Sequence, residues 1–214
     1  MNKKQSKDMS FENFPQFYES GFGERGSRKF YNLILREITL QPGYAVLDVG
    51  CGTGALLKKI STICEIDGYG IDAEQNMIAT AARNCPEMRF AEGVCDKLPF
   101  DEDFFDVVIA CMAYHHFDKK AEFALEALRV LKPGGILYVA DPRFPWIIRS
   151  AMNGVLKLIR VVGEFYTIDE MESRFAEMGF ICMGSAVDSY AQVVKFRKKR
   201  APITIKSDGE FNFA

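Results

Sequence analysis

Three glycines at the end of an apolar segment are the first residues of this chain that point to chemistry. They stand at positions 50, 52 and 54, between the mainly apolar segment Val46-Leu47-Asp48-Val49 and helix-forming residues that start at Ala55. This order predicts a buried strand, a tight turn and a helix start, because glycine lets the backbone bend sharply and approach a ligand. Unpaired N–H groups at a helix start favour polar or anionic groups. The segment therefore predicts a site for the polar end of a nucleotide-like cofactor.

The glycine spacing and the acid before it distinguish between cofactors. Dinucleotide-binding turns have the pattern G-x-G-x-x-G, whereas this chain has G-x-G-x-G, and Asp48 lies two residues before Gly50. A carboxylate at this position repels a pyrophosphate and attracts an ammonium group. The pattern argues against NAD and favours a cofactor with a cationic amino-acid part.

A second acid indicates the other end of the same ligand. Asp72 ends the next predicted strand, Gly70-Ile71-Asp72, about 20 residues after the turn, where nucleotide-binding folds place a ribose. An ionised carboxylate accepts hydrogen bonds from both ribose hydroxyls. The predicted ligand has a ribose and an amino-acid head, and S-adenosylmethionine, whose product after methyl transfer is S-adenosylhomocysteine, has both.

Candidate catalytic side chains follow the fourth predicted strand. Tyr114, His115 and His116 include both histidines of the chain, and they fall at the carboxyl edge of the sheet, where open α/β folds bind ligands. Histidine titrates near neutral pH and suits a general base, which methyl transfer needs only if the acceptor must lose a proton. We expect one of the pair to contact the substrate; the alternative is that they brace the loop or cap a helix.

These residues lie on alternating strands and helices. The strand candidates are residues 44–49, 68–71, 88–92, 105–110 and 135–140, and the helical patterns between them are 55–62, 74–84 and 119–131. The alternation predicts a doubly wound α/β fold with a mainly parallel sheet. Asp118 is the candidate cap of the third helix.

The end of the chain breaks the alternation. Thr167 and Glu170 have the spacing of a capping box, which predicts a helix to about Met178. Two strand-like runs, 180–185 and 190–196, follow without a helix between them. They are therefore expected to pair as a hairpin at the sheet edge.

Taken together, these motifs resemble class I S-adenosylmethionine-dependent methyltransferases, and most closely the type 11-like small-molecule group that includes quinone-precursor methyltransferases. The resemblance runs from about residue 45 to residue 141. It depends on the segments Leu47-Asp48-Val49-Gly50-Cys51-Gly52-Thr53-Gly54, Gly70-Ile71-Asp72, Leu98-Pro99-Phe100, Phe105-Asp106-Val107-Val108, His115-His116-Phe117 and Leu131-Lys132-Pro133-Gly134-Gly135. It implies a Rossmann-like sheet of seven strands with an antiparallel terminal strand.

The resemblance also implies individual cofactor contacts. The backbone of Gly50, Cys51 and Gly52 would flank the methionine part, with Asp48 at the amino group and Asp72 at the ribose. Further implied contacts are Ala73 and Met77 near the adenine, Asp96 or the Cys95 backbone at the adenine amino group, where Val94 replaces the usual aspartate, and the carbonyls of Ala110 and Cys111 near the sulfonium. For Met77, simple core packing is the alternative.

Two flanking segments are expected to shape the site. Residues 1–40 form an aromatic-rich helical segment that can close over the cofactor as a lid, with Tyr18 and Phe22 as candidate contacts. Within the methyltransferase domain, residues 41–200, a helical insertion at 142–166 is amphipathic. Its faces are Ile148, Met152, Val155, Ile159 and Val162 on one side, and Arg149, Asn153, Lys157 and Arg160 on the other. This helix can pack on the body, roof the site or rest on a membrane; residues 201–214 form a loosely held tail.

Composition bears on partners and location. A net charge of −2 gives no general attraction to nucleic acid or anionic membranes, and the polar N-terminus, with no apolar segment behind it, predicts no secretory signal. Six scattered cysteines without a C-x-x-C pair predict reduced thiols in a cytoplasmic protein and no metal site. Membrane insertion is not expected, because the most apolar stretch contains three basic residues.

The sequence thus predicts an enzyme that moves a methyl group from S-adenosylmethionine to a small, largely apolar molecule by direct displacement. Oxygen, nitrogen, carbon and sulfur acceptors stay open. Two alternatives also stay open: a nucleic-acid or protein methyltransferase on the same fold, and a non-catalytic S-adenosylmethionine-binding protein. Against the first, residues 110–113 lack the Asn/Asp-Pro-Pro-aromatic motif of base amino methylation.

Overall fold

The computed structural model describes residues 22–159 and 163–199, and the backbone of residues 204–205 and 211–212. The helices are α1 (Phe22–Glu37), α2 (Ala55–Ser61), α3 (Gln75–Asn84), α4 (Lys120–Val130), α5 (Trp146–Leu158) and α6 (Ile168–Glu177), with a 3₁₀ turn at Tyr114–His116. The strands are β1 (Tyr44–Val49), β2 (Ile66–Asp72), β3 (Arg89–Glu92), β4 (Phe105–Cys111), β5 (Leu131–Pro142), β6 (Phe180–Asp188), β7 (Ala191–Lys198), β8 (Thr204–Ile205) and β9 (Phe211–Asn212).

Within these residues, seven strands form one sheet in the order β3-β2-β1-β4-β5-β7-β6. The first five strands along the chain pair in parallel, whereas β7 runs antiparallel to both β5 and β6. The two-residue strands β8 and β9 pair separately. The predicted doubly wound sheet and the late hairpin at its edge are both confirmed. The order reverses at β1 and β4, so their carboxyl ends form the crevice in which folds of this type bind ligands.

Both faces of the sheet are covered. Val46 and Leu47 are adjacent on β1 and point to opposite faces, yet neither has exposed surface. On one face α1 contributes Leu33 and Ile34, and on the other α6 contributes Phe175. This burial explains why the parallel strands are continuously apolar rather than alternating.

Two details at the ends of helix α4 differ from the prediction. Asp118 is not the cap, because Lys119 occupies the N-cap position and makes no side-chain capping bond. After the helix, Leu131 already begins β5 and pairs with Phe105, ahead of a register shift before Val107. The strand therefore starts four residues earlier than the apolar pattern at 135–140 indicates.

The capping box at α6 is confirmed. The Glu170 N–H donates to Thr167 Oγ1 over 3.2 Å, and the Thr167 N–H donates to the Glu170 carboxylate over 2.8 Å. Glu170 also accepts from the guanidinium of Arg149 on α5. The start of α6 thus anchors the predicted insertion to the domain.

The predicted lid is described only in part. Tyr18 lies outside the described residues, and Phe22 is the first residue of α1. Further along α1, Leu33 and Ile34 are fully buried, and Glu37 forms an ion pair of 2.9 Å with Lys195 on β7. The second half of this helix therefore belongs to the layer that covers the sheet.

Candidate active site

The glycine turn lies between β1 and α2. Gly50, Gly52 and Gly54 all have positive φ angles, of 78°, 52° and 76°. A Cβ on Gly50 would lie 2.5 Å from the Cβ of Ala113, in the loop after β4. Only glycine satisfies both the angle and this distance. The close approach holds the loop that carries the histidines directly against the glycine turn.

Cys51 turns its side chain into the protein. A Cβ on Gly70 would lie 2.7 Å from the Cys51 sulfur, so the thiol occupies the space that this glycine leaves on β2. Burial raises the pKa of the thiol well above its usual value. The backbone N–H groups of Gly50 and Cys51 both donate to the carbonyl of Ile71, over 2.7 and 3.0 Å. The turn is thus fixed to β2 before any ligand binds.

Asp48 places a carboxyl group beneath this turn. The residue is 2% exposed, and its Oδ1 has no hydrogen-bond partner among the described residues. Burial, and next the neighbouring Asp72, raises the pKa of Asp48 to about 8. A buried carboxyl group without a partner is unfavourable, and a cationic ligand group would satisfy it. This arrangement fits the ammonium group predicted from the sequence.

Asp72 lies at the carboxyl end of β2 and is held by two backbone bonds. Its Oδ2 accepts from the Gly52 N–H over 2.8 Å, and its Oδ1 accepts from the Glu74 N–H over 3.0 Å. The carboxylate is thus fixed between the glycine turn and α3. A carboxylate has about four acceptor positions, so both oxygens can still accept hydroxyl groups.

The predicted adenine contacts surround the ends of β2 and β3. Ala73 is exposed, Met77 is buried and Cys95 is half-buried. The Gly93 N–H donates to the Asp72 carbonyl over 2.9 Å, which brings the loop after β3 to this edge. In that loop Asp96 pairs with Lys119, which lowers the pKa of Asp96. Contact of these residues with adenine stays a prediction.

His115 is paired with an acid that the sequence reasoning missed. Its Nδ1 lies 2.9 Å from Oδ1 of Asp141, and both residues are buried. Burial raises the pKa of Asp141, and the contact with His115 opposes that rise. The pairing leaves Nε2 as the ring nitrogen that is free to exchange a proton. The available signal was its position: Asp141 lies one residue before the end of β5, next to the strand that precedes His115.

The other two candidates of this loop have different surroundings. His116 is exposed, and its ring centroid lies 3.9 Å from that of His115. Tyr114 is 1% exposed and packs against aromatic rings that include Phe175, and burial raises the pKa of its hydroxyl. The two histidines therefore lie together, whereas Tyr114 points into the core. A catalytic role for each of the three stays a prediction.

The carboxyl end of β4 lies between the two buried acids. Ala110 and Cys111 are both buried there, and after burial itself, Asp48 and Asp141 are the groups that raise the pKa of the Cys111 thiol. The next residue, Met112, has a positive φ of 54° and donates its N–H to the Ala140 carbonyl over 2.7 Å. A strained non-glycine residue at this place is typical of a functional site.

Helix α5 reaches His115 through a single aromatic residue. Asn153 on α5 bonds both the N–H and the carbonyl of Phe165, each over 3.0 Å. The Phe165 ring stacks on His115 at 4.9 Å and contacts Phe144 at 5.0 Å. The polar side of α5 thus positions an apolar wall beside the histidine.

Comparison with known proteins agrees with this geometry. The family described as "Methyltransferase domain" matches residues 47–139, which include the glycine turn, both histidines and most of β5. Residues 47–139 are therefore a methyltransferase domain. This family implies the use of S-adenosylmethionine. The matched range includes all of the predicted site residues except Tyr18 and Phe22, and Asp141 lies just past its end.

Two relatives have names that include a substrate. The demethylmenaquinone methyltransferase of Chlorobaculum tepidum is 30% identical over 155 residues, which are 72% of this chain and 62% of the relative. The 2-methyl-6-phytyl-1,4-hydroquinone methyltransferase of Synechocystis is 41% identical over 106 residues, which are 48% of this chain and 33% of the relative. The chain thus spans less than two thirds of the length of either relative.

Solved structures share the fold. A protein solved in complex with the Haloferax volcanii Trm112 methyltransferase activator superposes with a TM-score of 0.74 at 19% identity, over 87% of this chain and 97% of that one. The [4+2]-cyclase SpnF superposes with a TM-score of 0.69 at 20% identity, over 80% of each chain. A cyclase on this fold illustrates that the reaction must be argued from the site.

The described residues form neither a metal site nor a membrane-spanning helix. They contain no cluster of His, Cys, Asp or Glu that can hold a metal ion. Their helices include none with the length and apolar character needed to cross a membrane. The six cysteines, all within the described part of the chain, are free thiols.

Proposed function

We propose that the methyltransferase domain binds S-adenosylmethionine and methylates an apolar molecule that carries an acidic O–H group, such as a hydroquinone with a lipid tail. The buried His115–Asp141 pair carries this proposal, since it combines a general base with an apolar wall beside the glycine turn. The oxygen, or the ring carbon that deprotonation activates, is the acceptor.

The residues present fit the cofactor. Asp48 has a buried, unpaired oxygen for the ammonium group, and Asp72 is held in place for the ribose. Gly52 leaves open space in the turn, since a Cβ there would meet no atom within 4 Å, and the methionine part would lie along this backbone. When bound, S-adenosylmethionine would supply a methyl group on a positively charged sulfur. The acceptor would attack the methyl carbon, and the sulfur would leave with the rest of the cofactor as S-adenosylhomocysteine.

His115 would take the O–H proton of the acceptor on Nε2. Asp141 then stabilises the imidazolium and keeps Nδ1 oriented, as the acid does in other His–Asp pairs. Phe165 and Phe144 exclude water from one side of the histidine and favour an aromatic acceptor. Much of the remaining rate enhancement comes from holding the acceptor in line with the methyl group.

The names of the relatives support an apolar substrate, and the hydroquinone among them carries the acidic O–H group proposed here. Demethylmenaquinone and 2-methyl-6-phytyl-1,4-hydroquinone are aromatic compounds with long apolar chains. A third relative, from Mycobacterium ulcerans, is named for phthiotriol dimycocerosates, and it is 35% identical over 104 residues. Because these relatives extend beyond the matched region, the substrate of this chain is inferred from the chemistry they share.

The first prediction concerns turnover. With S-adenosylmethionine and a series of prenylated hydroquinones and phenols, we expect S-adenosylhomocysteine and a product 14 mass units heavier, a methyl group in place of hydrogen, by mass spectrometry. His115→Ala should lower kcat by about 10²–10⁴-fold, the usual contribution of a general base. His116→Ala, its matched control, should lose less than about tenfold.

Comparing acceptors of different acidity tests the base role of His115 more directly. A phenol that is already ionised at the assay pH needs no base, so His115→Ala should methylate it nearly as fast as the wild type. An equal loss on acidic and weakly acidic phenols would contradict the base role. Cofactor binding by calorimetry without S-adenosylhomocysteine from any acceptor would favour the non-catalytic alternative.

A further inference from the structure

In helix α5 the apolar side faces solvent and the polar side faces the domain, the reverse of an ordinary surface helix. None of its residues is buried, and most of its large apolar side chains face solvent, with Met152 and Leu156 half-buried. We define the α5 apolar face as Ile147 (62% exposed), Ile148 (49%), Val155 (55%) and Leu158 (81%), with Ile159 (57%) just after the helix. Trp146 (72% exposed) is the first residue of the helix, next to Ile147 at one end of this face. Amphipathic helices of globular proteins normally bury such a face.

The polar side of the same helix is the side that faces the domain. Asn153 bonds the backbone of Phe165, and Arg149 bonds the carboxylate of Glu170 over 2.8 and 3.0 Å. These specific contacts fix the rotation of α5, so the outward apolar face is not a consequence of a loosely attached helix. A contiguous exposed apolar patch of this kind indicates a binding surface.

Charge and shape indicate what the surface binds. From Arg143 to Ile159 the chain has no acidic residue, although the whole protein is acidic. Of its three basic residues, Arg149 is paired with Glu170, whereas Arg143 and Lys157 are exposed. Exposed tryptophan and leucine beside basic side chains are typical of helices that lie in the interface of an anionic membrane. A face about 20 Å long and 10 Å wide is also small beside the roughly 800 Å² per partner of a stable dimer.

We propose that the α5 apolar face docks on the surface of an anionic lipid bilayer. The helix lies parallel to the membrane, with Ile147 and Leu158 at the boundary between headgroups and acyl chains and Trp146 at the level of the headgroups. This peripheral contact needs no membrane-spanning helix. Because Asn153 and Phe165 connect α5 to His115, docking also brings the candidate active site to the lipid. This delivery of the site, unlike the docking itself, rests on the proposed function.

The second prediction tests docking by fluorescence. Trp146 is the single tryptophan of the chain, so its emission reports on α5 alone. With vesicles of phosphatidylcholine and phosphatidylglycerol we expect a blue shift, quenching by lipids brominated on the acyl chain, and co-sedimentation that weakens with salt and with removal of phosphatidylglycerol. Leu158→Glu should weaken the partition at least about tenfold.

The control is Leu125→Glu, which makes the same change at a 52%-exposed leucine on α4 and should bind vesicles like the wild type. Circular dichroism establishes that both variants are folded. Equal binding by the two variants would overturn the proposal, as would emission that is already blue-shifted in the lipid-free protein and does not respond to vesicles. A concentration-dependent dimer that Leu158→Glu abolishes, without vesicle binding, would instead assign the face to a second copy. The test requires no turnover, so its failure is separate from failure of the proposed function.

Discussion

Asp48 is the residue whose chemistry depends most on what binds beside it. Without a ligand, its carboxyl group is buried and has a pKa of about 8, so it is largely protonated at neutral pH. An ammonium group at Oδ1 favours the ionised form and lowers the pKa. Cofactor binding and loss of a proton are therefore coupled at this residue.

The third prediction follows from this coupling. Below pH 8, binding of S-adenosylmethionine should release about one proton, and the affinity should rise by up to about tenfold per pH unit until pH 8. Calorimetry in buffers with different ionisation enthalpies measures the release. Asp48→Asn should bind more weakly and release no proton, whereas Asp67→Asn, at an exposed acid of β2, should behave like the wild type. A pH-independent affinity for the wild type would contradict the assignment.

At the residue scale, the sequence was informative where local order decides the geometry. Asp48, Gly50 and Gly52 follow from a strand–turn–helix pattern, and the bond from Gly52 to Asp72 agrees with the predicted proximity of the two motifs. Asp141 was missed because its partner is 26 residues away and depends on the register between β4 and β5. Phe165 was missed because a folded-back segment, with no pattern of its own, carries it to His115.

Among the elements, α5 is the one that transmits structure to the candidate base. Asn153 satisfies both backbone groups of Phe165, and Phe165 stacks on His115. A change in α5 that never touches a ligand is therefore expected to alter the site. Asn153 acts through Phe165, so it is a positioning residue.

The fourth prediction concerns this connection. Asn153→Ala leaves the Phe165 N–H and carbonyl without their partner, so it should cost about 1–3 kcal/mol of stability and lower kcat more than it raises KM. Thermal unfolding and steady-state kinetics measure the two effects. Ser150→Ala, at an exposed position on the same helix, is the control. The connection would be refuted by an Asn153→Ala enzyme with unchanged kcat on weakly acidic acceptors.

The elements were predicted well where apolar periodicity dominates. The bounds of β1 are those predicted, and α3 differs by one residue at its start. The orientation of α5 did not follow from the sequence, because an amphipathic pattern shows that a helix has two faces but not which one lies inward. Specific bonds from Asn153 and Arg149 decide this, and a single sequence does not reveal their partners.

For the whole molecule, a buried titratable acid couples folding to pH. The folded-state pKa of Asp48 lies far above its ordinary value, so the unfolded chain loses this proton at lower pH than the folded protein does. The contribution of Asp48 to the free energy of unfolding therefore falls as pH rises from about 4 to 8. Glu126 and Glu170 have lowered pKa values. Their contributions to the free energy of unfolding are therefore lost only as pH falls, and they are fully present above about pH 6.

The fifth prediction compares stabilities without cofactor. Asp48→Asn should be more stable than the wild type at neutral pH, and the difference should grow by up to about 1.4 kcal/mol per pH unit between pH 5 and 8. Urea unfolding at several pH values measures it. Because both proteins contain the same histidines, the histidine contribution cancels when the free energy of unfolding of one protein is subtracted from that of the other. A constant difference across this range would show that Asp48 has an ordinary pKa.

The absence of any buried residue in α5 also bears on how such proteins diversify. Folding constrains the central strands and the glycine turn, so mutations there are selected for stability before they are selected for anything else. A helix that contributes nothing to the core escapes this constraint, and only Arg149 and Asn153 must be kept to hold it in place. As far as folding is concerned, the outward face is thus free to change, and only its docking on the bilayer would restrict it. In a laboratory setting, a library randomised at that face should yield mostly folded proteins, which makes α5 the natural place to redirect this domain to new targets.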